Sequence, residues 1–252
     1  MATTVCVSER KVRDLTFVEL RLGSESGLNP LSSATVEEIR ATLRRLAPPG
    51  AAHGLLLSAE GRGFCAGADV KEFRTFGLTD FRRYMTDILA MYAEMTEFPK
   101  PIVSLVHADA LGGGAALAFF SDFVIAAQGA RFALPEVLRG MAGGGYLMPR
   151  LIGKHRAAEM VLLGRTFGAD EMLAWGLINT VCPAAELAER AQALCEELAS
   201  LSEGAFAVAK RSLSGGLGLG LREAMDRHVT AQTEAFAVAR AAAGEGRNAQ
   251  RP

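Results

Sequence analysis

Short, nearly uninterrupted apolar runs set the tightest limit on what this chain can fold into. Gly54-Leu-Leu-Leu-Ser-Ala59, Ile102-Val-Ser-Leu-Val106 and Asp122-Phe-Val-Ile-Ala126 lack the apolar/polar alternation of a strand with one wet face. Runs of this kind belong to strands covered on both faces, which is the situation of a parallel sheet. Phe17-Val-Glu-Leu-Arg-Leu22 does alternate and reads as a further strand. Helix signals separate them. Thr35 to Leu46 has Ser32 or Ser33 available as its cap and Pro48-Pro49-Gly50 as its stop. Phe81, Tyr84, Met85, Ile88, Leu89, Tyr92 and Met95 recur at helical spacing ahead of Pro99 and Pro101. The Ala-rich stretch from Gly113 to Phe120 is also predicted helical. Strand and helix in alternation imply an α/β fold with a parallel sheet and right-handed crossovers.

Beyond about residue 150 the strand signals fade. Helices are predicted over Arg156–Leu163, Ala169–Trp175 closed by Gly176, Ala184–Leu201, Ala205–Leu213 and Leu221–Arg240, with one β run, Leu177–Val181, among them. The organisation expected is a core over residues 1–195 and a helical region over 196–252 in the same fold unit, with residues 241–252 small, polar and frayed.

Composition removes several functions. With 27 Lys and Arg against 28 Asp and Glu, the formal charge of −1 lacks the excess that draws a protein to nucleic acid or an anionic membrane. No basic leader followed by an apolar run and no apolar stretch of membrane-spanning length is visible. Cys6, Cys65, Cys182 and Cys195 show neither metal-ligand nor disulfide-framework spacing, which fits reduced thiols in a cytoplasm.

Glycine, at 27 of 252 residues, exceeds the usual share of about 7%. Its clusters lie at Gly61/Gly63, Gly112–Gly114, Gly143–Gly145 and between Gly215 and Gly220. Two clusters follow buried strands. In Gly61-Arg-Gly-Phe-Cys-Ala-Gly-Ala-Asp-Val-Lys-Glu72, a helix beginning near Ala68 would leave its first amides free to bind an oxyanion. Ala110-Leu-Gly-Gly-Gly-Ala-Ala116 repeats the arrangement. Two such turns in successive crossovers meet at one edge of the sheet. Neither has the GxGxxG order and later acidic residue of a dinucleotide site.

Phe64-Cys-Ala-Gly-Ala-Asp-Val-Lys-Glu-Phe73, Ala110-Leu-Gly-Gly-Gly114, Ala130-Arg-Phe-Ala-Leu-Pro-Glu136 and Pro149-Arg-Leu-Ile-Gly153 resemble, in order and spacing, the enoyl-CoA hydratase/isomerase (crotonase) family. The resemblance runs from about residue 10 to about residue 236. It implies a ββα-repeat spiral core, a C-terminal helical region that assembles trimers or dimers of trimers, and a role in fatty-acid or polyketide metabolism. The substrates implied are thioesters of coenzyme A, with no cofactor besides the coenzyme A that the substrate carries. The N–H groups of Ala68 and Gly113 match the family's oxyanion-hole donors, and Ala66, Ala68 and Val70 match the main chain that receives the adenine. Glu136 matches a catalytic glutamate, a role that a carboxylate in an apolar pocket also suits physically.

Departures from the family pattern bear on the reaction. Family hydratases carry a second glutamate where this chain has Ala116. One glutamate suffices to move a double bond, so Δ3,Δ2-enoyl-CoA isomerisation is the reaction expected. A hydratase with a replaced second acid, a malonyl-thioester decarboxylase and a non-catalytic thioester-binding subunit are the alternatives. The Glu136–Pro149 loop is shorter than usual, with Met141-Ala-Gly-Gly-Gly145 in place of a Pro-Gly-rich stretch, so the acyl group is expected to be unusual. Gly27 replaces the basic residue common before Asn29-Pro30, which weakens the case for contacts to the coenzyme A phosphates. The chain also ends before the family's basic final segment, which leaves an open acyl tunnel or an acyl-carrier-protein arm as the alternatives. His107, Asp109, His53, His155, His228 and Cys65 are read as structural or solvated, Lys71 and Glu72 as solvent-facing on a short helix, and Trp175 and the phenylalanines as core.

Overall fold

The computed structural model describes residues 3–216 and 218–248. A hairpin of β1 (Thr4–Val12) and β2 (Leu15–Gly23) leads into α1 (Ser33–Leu46). Three units then repeat one pattern of a long strand, a short strand and a helical segment. These are β3 (Gly54–Ala59), β4 (Gly63–Cys65) and α2 (Leu78–Glu97); β5 (Ile102–Val106), β6 (Asp109–Leu111) and α3 (Gly113–Phe119); and β7 (Phe123–Ala127), β8 (Arg131–Ala133) and α4 (Met148–Val161). There follow β9 (Thr166–Gly168), α5 (Ala169–Ala174), β10 (Thr180–Cys182), α6 (Leu187–Leu198), α7 (Glu203–Gly216) and α8 (Leu221–Asn248). The long strands form one sheet in the order β1-β2-β3-β5-β7-β10, parallel from β2 onward. The short strands form a second, β4-β6-β8-β9, with only β8–β9 antiparallel. This is the ββα-repeat architecture that the motifs imply.

The apolar runs are explained by what covers them. One face of the large sheet packs on Val36, Ile39 and Leu43 of α1 and Ile88, Met91 and Met95 of α2. The other packs on Leu187, Ala191, Cys195 and Leu198 of α6. The boundary expected at residue 195 therefore falls inside a helix that belongs to the core. The next helix, α7, is tied to it by Lys210, whose Nζ lies 2.7 Å from Asp122 Oδ2.

Several expectations are corrected. No α-helix starts at Ala68. Asp69 Oδ1 accepts the Lys71 N–H at 2.9 Å, a local bond that competes with helical pairing, and a 3₁₀ turn forms only at Glu72–Thr75. The short strands β4, β6, β8 and β9 and the largely exposed β1 carry too little periodicity to be read in sequence. Helix α4 begins at Met148 instead of Arg156 and breaks at Gly153, where φ is 72°. The run Leu177–Val181 pairs only from Thr180, because Leu177 N–H closes the preceding helix on Met172 O. Helix α6 is shorter than Ala184–Leu201, starting after a 3₁₀ turn that follows Pro183. Helix α8 runs past Arg240 to Asn248, where fraying was expected, and residues 249–252 lie outside the described residues.

Candidate active site

The two glycine-rich loops meet backbone to backbone. A Cβ on Gly114 would lie 2.2 Å from Cys65 O, and one on Gly67 would lie 2.7 Å from Leu111 O and 2.9 Å from Gly113 N. Glycine is required here by close approach, and at Gly67 and Gly112 also by φ values of +83° and +55°. The first loop is held by Asn29, buried and left-handed at φ 51°. Its Nδ2 donates to Glu60 O at 2.8 Å and Gly63 O at 3.0 Å. Leu31 then pairs across Ala68, with Leu31 N–H on Gly67 O at 2.7 Å and Asp69 N–H on Leu31 O at 3.0 Å. That bridge uses the amides on either side and leaves the Ala68 N–H without a backbone acceptor among the described residues. Gly113 is the first residue of α3, so its N–H has no partner within the helix. Gly112 N–H, donating to Ala133 O at 2.8 Å, anchors this second loop. Two free amides thus stand on touching loops, an arrangement able to hold a developing oxyanion.

Glu136 completes the group. It lies on a 3₁₀ turn, Pro135–Arg139, directly after β8. Its carboxylate packs over both glycine segments: a Cβ on Gly112 would meet Oε1 at 2.8 Å, and one on Gly143 would meet Cδ at 2.5 Å. Oε2 is buried without a hydrogen-bond partner among the described residues. Burial pushes the carboxyl pKa above its ordinary value, against smaller opposing effects of its own backbone N–H and Arg139. A carboxylate so placed has the raised pKa and the unpartnered oxygen that general-base chemistry requires. Ala116, in the first turn of α3, is buried. Tyr146, half-exposed at the end of the 141–145 stretch, has its phenol pKa raised by burial and by the charge of Glu136.

A cleft of ≈ 340 Å³ adjoins the loops, lined by Leu28, Arg62, Gly63, Ala66, Asp109 and Leu111. Ala66 is thus brought to the cleft, while Val70 is exposed and outside its lining. Gly27 has a local cause, since φ is +64° and a Cβ would press on Arg62 N at 3.0 Å. The cation of the lining is Arg62, which sequence reading passed over; its Nε donates to Ser26 O at 3.1 Å.

The remaining candidates have structural partners. His107 Nε2 lies 3.0 Å from Gly61 O. Asp109 accepts Arg131 Nε at 2.9 Å. Burial raises the Cys65 thiol to about 12, which keeps it protonated and unreactive. Lys71 is exposed, whereas Glu72, expected to face solvent, is half-buried and caps α1 by accepting Ser33 N–H at 2.8 Å. His53 lies by Leu198 O and His228 by Ser212 Oγ, and His155 is exposed. Trp175 is only partly buried, against Phe167, and Phe236 is exposed, so neither is core. Also missed was Tyr92, concealed within an apolar stripe. The signal was its hydroxyl, since a buried phenol must find a hydrogen-bond partner.

Fold and site together define an enzyme of acyl-thioester chemistry. The Enoyl-CoA hydratase/isomerase family matches residues 16–250. The chain is 31% identical over 220 residues to the mitochondrial enoyl-CoA hydratase of Pongo abelii, covering 86% of this chain and 75% of that one. It is 32% identical over 209 residues to a probable enoyl-CoA hydratase of Rhizobium meliloti, covering 82% and 80%. The solved enoyl-CoA hydratase of Bacillus anthracis superposes with a TM-score of 0.84 at 30% identity, covering 90% and 89%. This chain belongs to the enoyl-CoA hydratase/isomerase family, whose members act on acyl-CoA thioesters.

Proposed function

We propose that the protein isomerises a 3-enoyl thioester of coenzyme A to the 2-enoyl thioester with Glu136 as its single acid/base. The observation that carries this reading is the isolation of the Glu136 carboxylate. Its Oε2 is buried without a hydrogen-bond partner among the described residues, the carboxyl packs over Gly112 and Gly143, and the buried Ala116 fills the position where family hydratases hold a second glutamate. Glu136 removes a proton from C2, the electron pair moves into the thioester to give a dienolate, and the oxyanion is held by the Ala68 and Gly113 amides. The same carboxyl returns the proton at C4, so charge and atoms balance with no cofactor beyond the coenzyme A of the substrate. Each oxyanion donor is typically worth about 2.7–4 kcal/mol of barrier. In this reading the cleft beside Ala66 receives the coenzyme A arm, with Arg62 as its cation and Ala66, Ala68 and Val70 near the adenine.

Hydration is the second reading, favoured by the names of the relatives and by Tyr146, whose phenol feels the Glu136 charge and could stand in for the missing acid. Incubation with 3-enoyl-, 2-enoyl- and malonyl-CoA, followed by mass spectrometry and the absorbance of the conjugated thioester, separates the readings. Isomerisation creates conjugation without a mass change, hydration adds one water and decarboxylation loses carbon dioxide. No turnover with any of the three, together with tight coenzyme A binding, would leave only a binding subunit. Assembly as trimers belongs to the same proposal and is supported by the exposed Leu221, Met225, Val229 and Phe236 of α8. Sedimentation at the mass of one copy would refute it.

A further inference from the structure

Helix α2 places two buried tyrosines on one face. Tyr84 and Tyr92 stand at i and i+8, with Ile88 midway at i+4. Tyr92 Oη donates to Gly113 O at 2.7 Å, and Tyr84 Oη donates to Leu31 O at 2.8 Å. Gly113 carries one free amide of the site. Leu31 is the residue bridged across Ala68, which carries the other. Between the two hydroxyls, a Cβ on Gly113 would find Tyr92 Oη at 3.1 Å, Ile88 Cδ1 at 3.4 Å and Leu31 Cδ1 at 3.5 Å, so the helix face lies directly on the meeting point of the loops. Both rings are fixed by stacking partners that belong to the loops' own continuations. Phe120, at the end of α3, stacks on Tyr92 with centroids 4.8 Å apart and planes at 8°. Phe73, in the 3₁₀ turn after Ala68, meets Tyr84 edge-on at 5.0 Å.

A run of three glycines can rotate its peptide planes at little steric cost. An oxyanion hole, by contrast, works only if its donors are already aimed. We propose that Tyr84 and Tyr92 are positioning residues, which hold the two amide donors of the site in register from a single rigid helix. The inference rests on the reading of Ala68 and Gly113 as oxyanion donors. Tyr92 restrains the Gly113 carbonyl, and with it the turn of the Gly112–Gly114 backbone. Tyr84 restrains Leu31, and with it the bridge that turns the Ala68 N–H outward.

The test uses Tyr92→Phe and Tyr84→Phe, each of which removes one oxygen and leaves the ring stacking in place. Butyryl-CoA labelled with carbon-13 at the thioester carbonyl serves as a bound, unreactive reporter, because a carbonyl in an oxyanion hole has a lowered infrared stretch. The wild-type chain should lower that stretch on binding. Each variant should return it toward the free value and lower kcat on a 3-enoyl-CoA about 10-fold, with KM within about 2-fold, because misaimed donors cost transition-state stabilisation more than ground-state binding. Variants that fold and keep both the wild-type stretch and kcat overturn the proposal, as does failure of both to fold, since the hydroxyls would then be structural supports. A wild-type chain that binds butyryl-CoA without lowering the stretch instead refutes the oxyanion reading itself.

Discussion

Substitution of Gly114 by alanine tests whether contact between the loops sets the activity. The new methyl would lie 2.2 Å from Cys65 O, 2.7 Å from Cys65 C and 2.7 Å from Cys65 Cβ, where ordinary contact begins at 3.4 Å. Two of the three neighbours are backbone atoms, so no side-chain rotation relieves the overlap, and the loops must separate by more than 1 Å. Overpacking of this kind costs about 1–3 kcal/mol of stability. The effect on catalysis should be larger, because the separation falls between the Ala68 and Gly113 amides, and a misplacement of about 1 Å costs about 10²-fold. Gly204→Ala, in α7, is the control, since a Cβ there meets nothing within 4 Å. Steady-state kinetics on a 3-enoyl-CoA and urea unfolding should show kcat lower by about 10²-fold in the first variant and unchanged in the second. A Gly114→Ala enzyme with wild-type kcat would refute the argument that loop contact holds the donors in register.

Glu136→Gln should lower kcat by about 10²–10⁴-fold yet leave the protein more stable at neutral pH, because the buried carboxylate oxygen has no partner to lose. The carboxyl pKa is raised in the fold, so the native state binds the proton more tightly than the unfolded chain, and stability is lost as pH rises through the folded pKa. The stability difference between variant and wild type should therefore vanish below about pH 4, the ordinary glutamate range. Thermal unfolding across pH checks this, and a gap that persists in acid would contradict it. The acidic limb of kcat/KM should fall above the ordinary glutamate pKa for the same reason; a limb at or below it would remove burial as the activating influence. Lys210→Ala, which removes the 2.7 Å pair and leaves the largely buried Asp122 carboxylate with the Ile102 N–H but no cation, should cost about 3–5 kcal/mol in urea unfolding. A loss under about 1 kcal/mol, the range of a surface pair, would refute that view of how α7 is held.

The sequence by itself determined the parts that depend on near neighbours along the chain. Continuous apolar runs marked β3, β5 and β7 because each strand's own residues must be dry on both faces, and the spacing from Phe81 to Met95 marked α2. The glycine clusters and Pro135-Glu136 marked the candidate site, since close backbone approach and a carboxylate beside a proline leave a local trace. Only the tertiary structure decided what those parts do to one another. Ala68 has a free amide because Leu31, far away in sequence, pairs across it, and not because a helix begins there. Gly67 and Gly114 are glycines because of the backbone at Leu111, Gly113 and Cys65. Tyr84 and Tyr92 are indistinguishable in sequence from the apolar residues of their stripe, and their hydroxyls acquire a role only where sheet register brings Leu31 and Gly113 beneath them. Periodicity reports the environment of a residue's own element. The meeting of residues 31, 68, 92, 113 and 136 at one point is set by strand order and crossover geometry, which no single segment encodes.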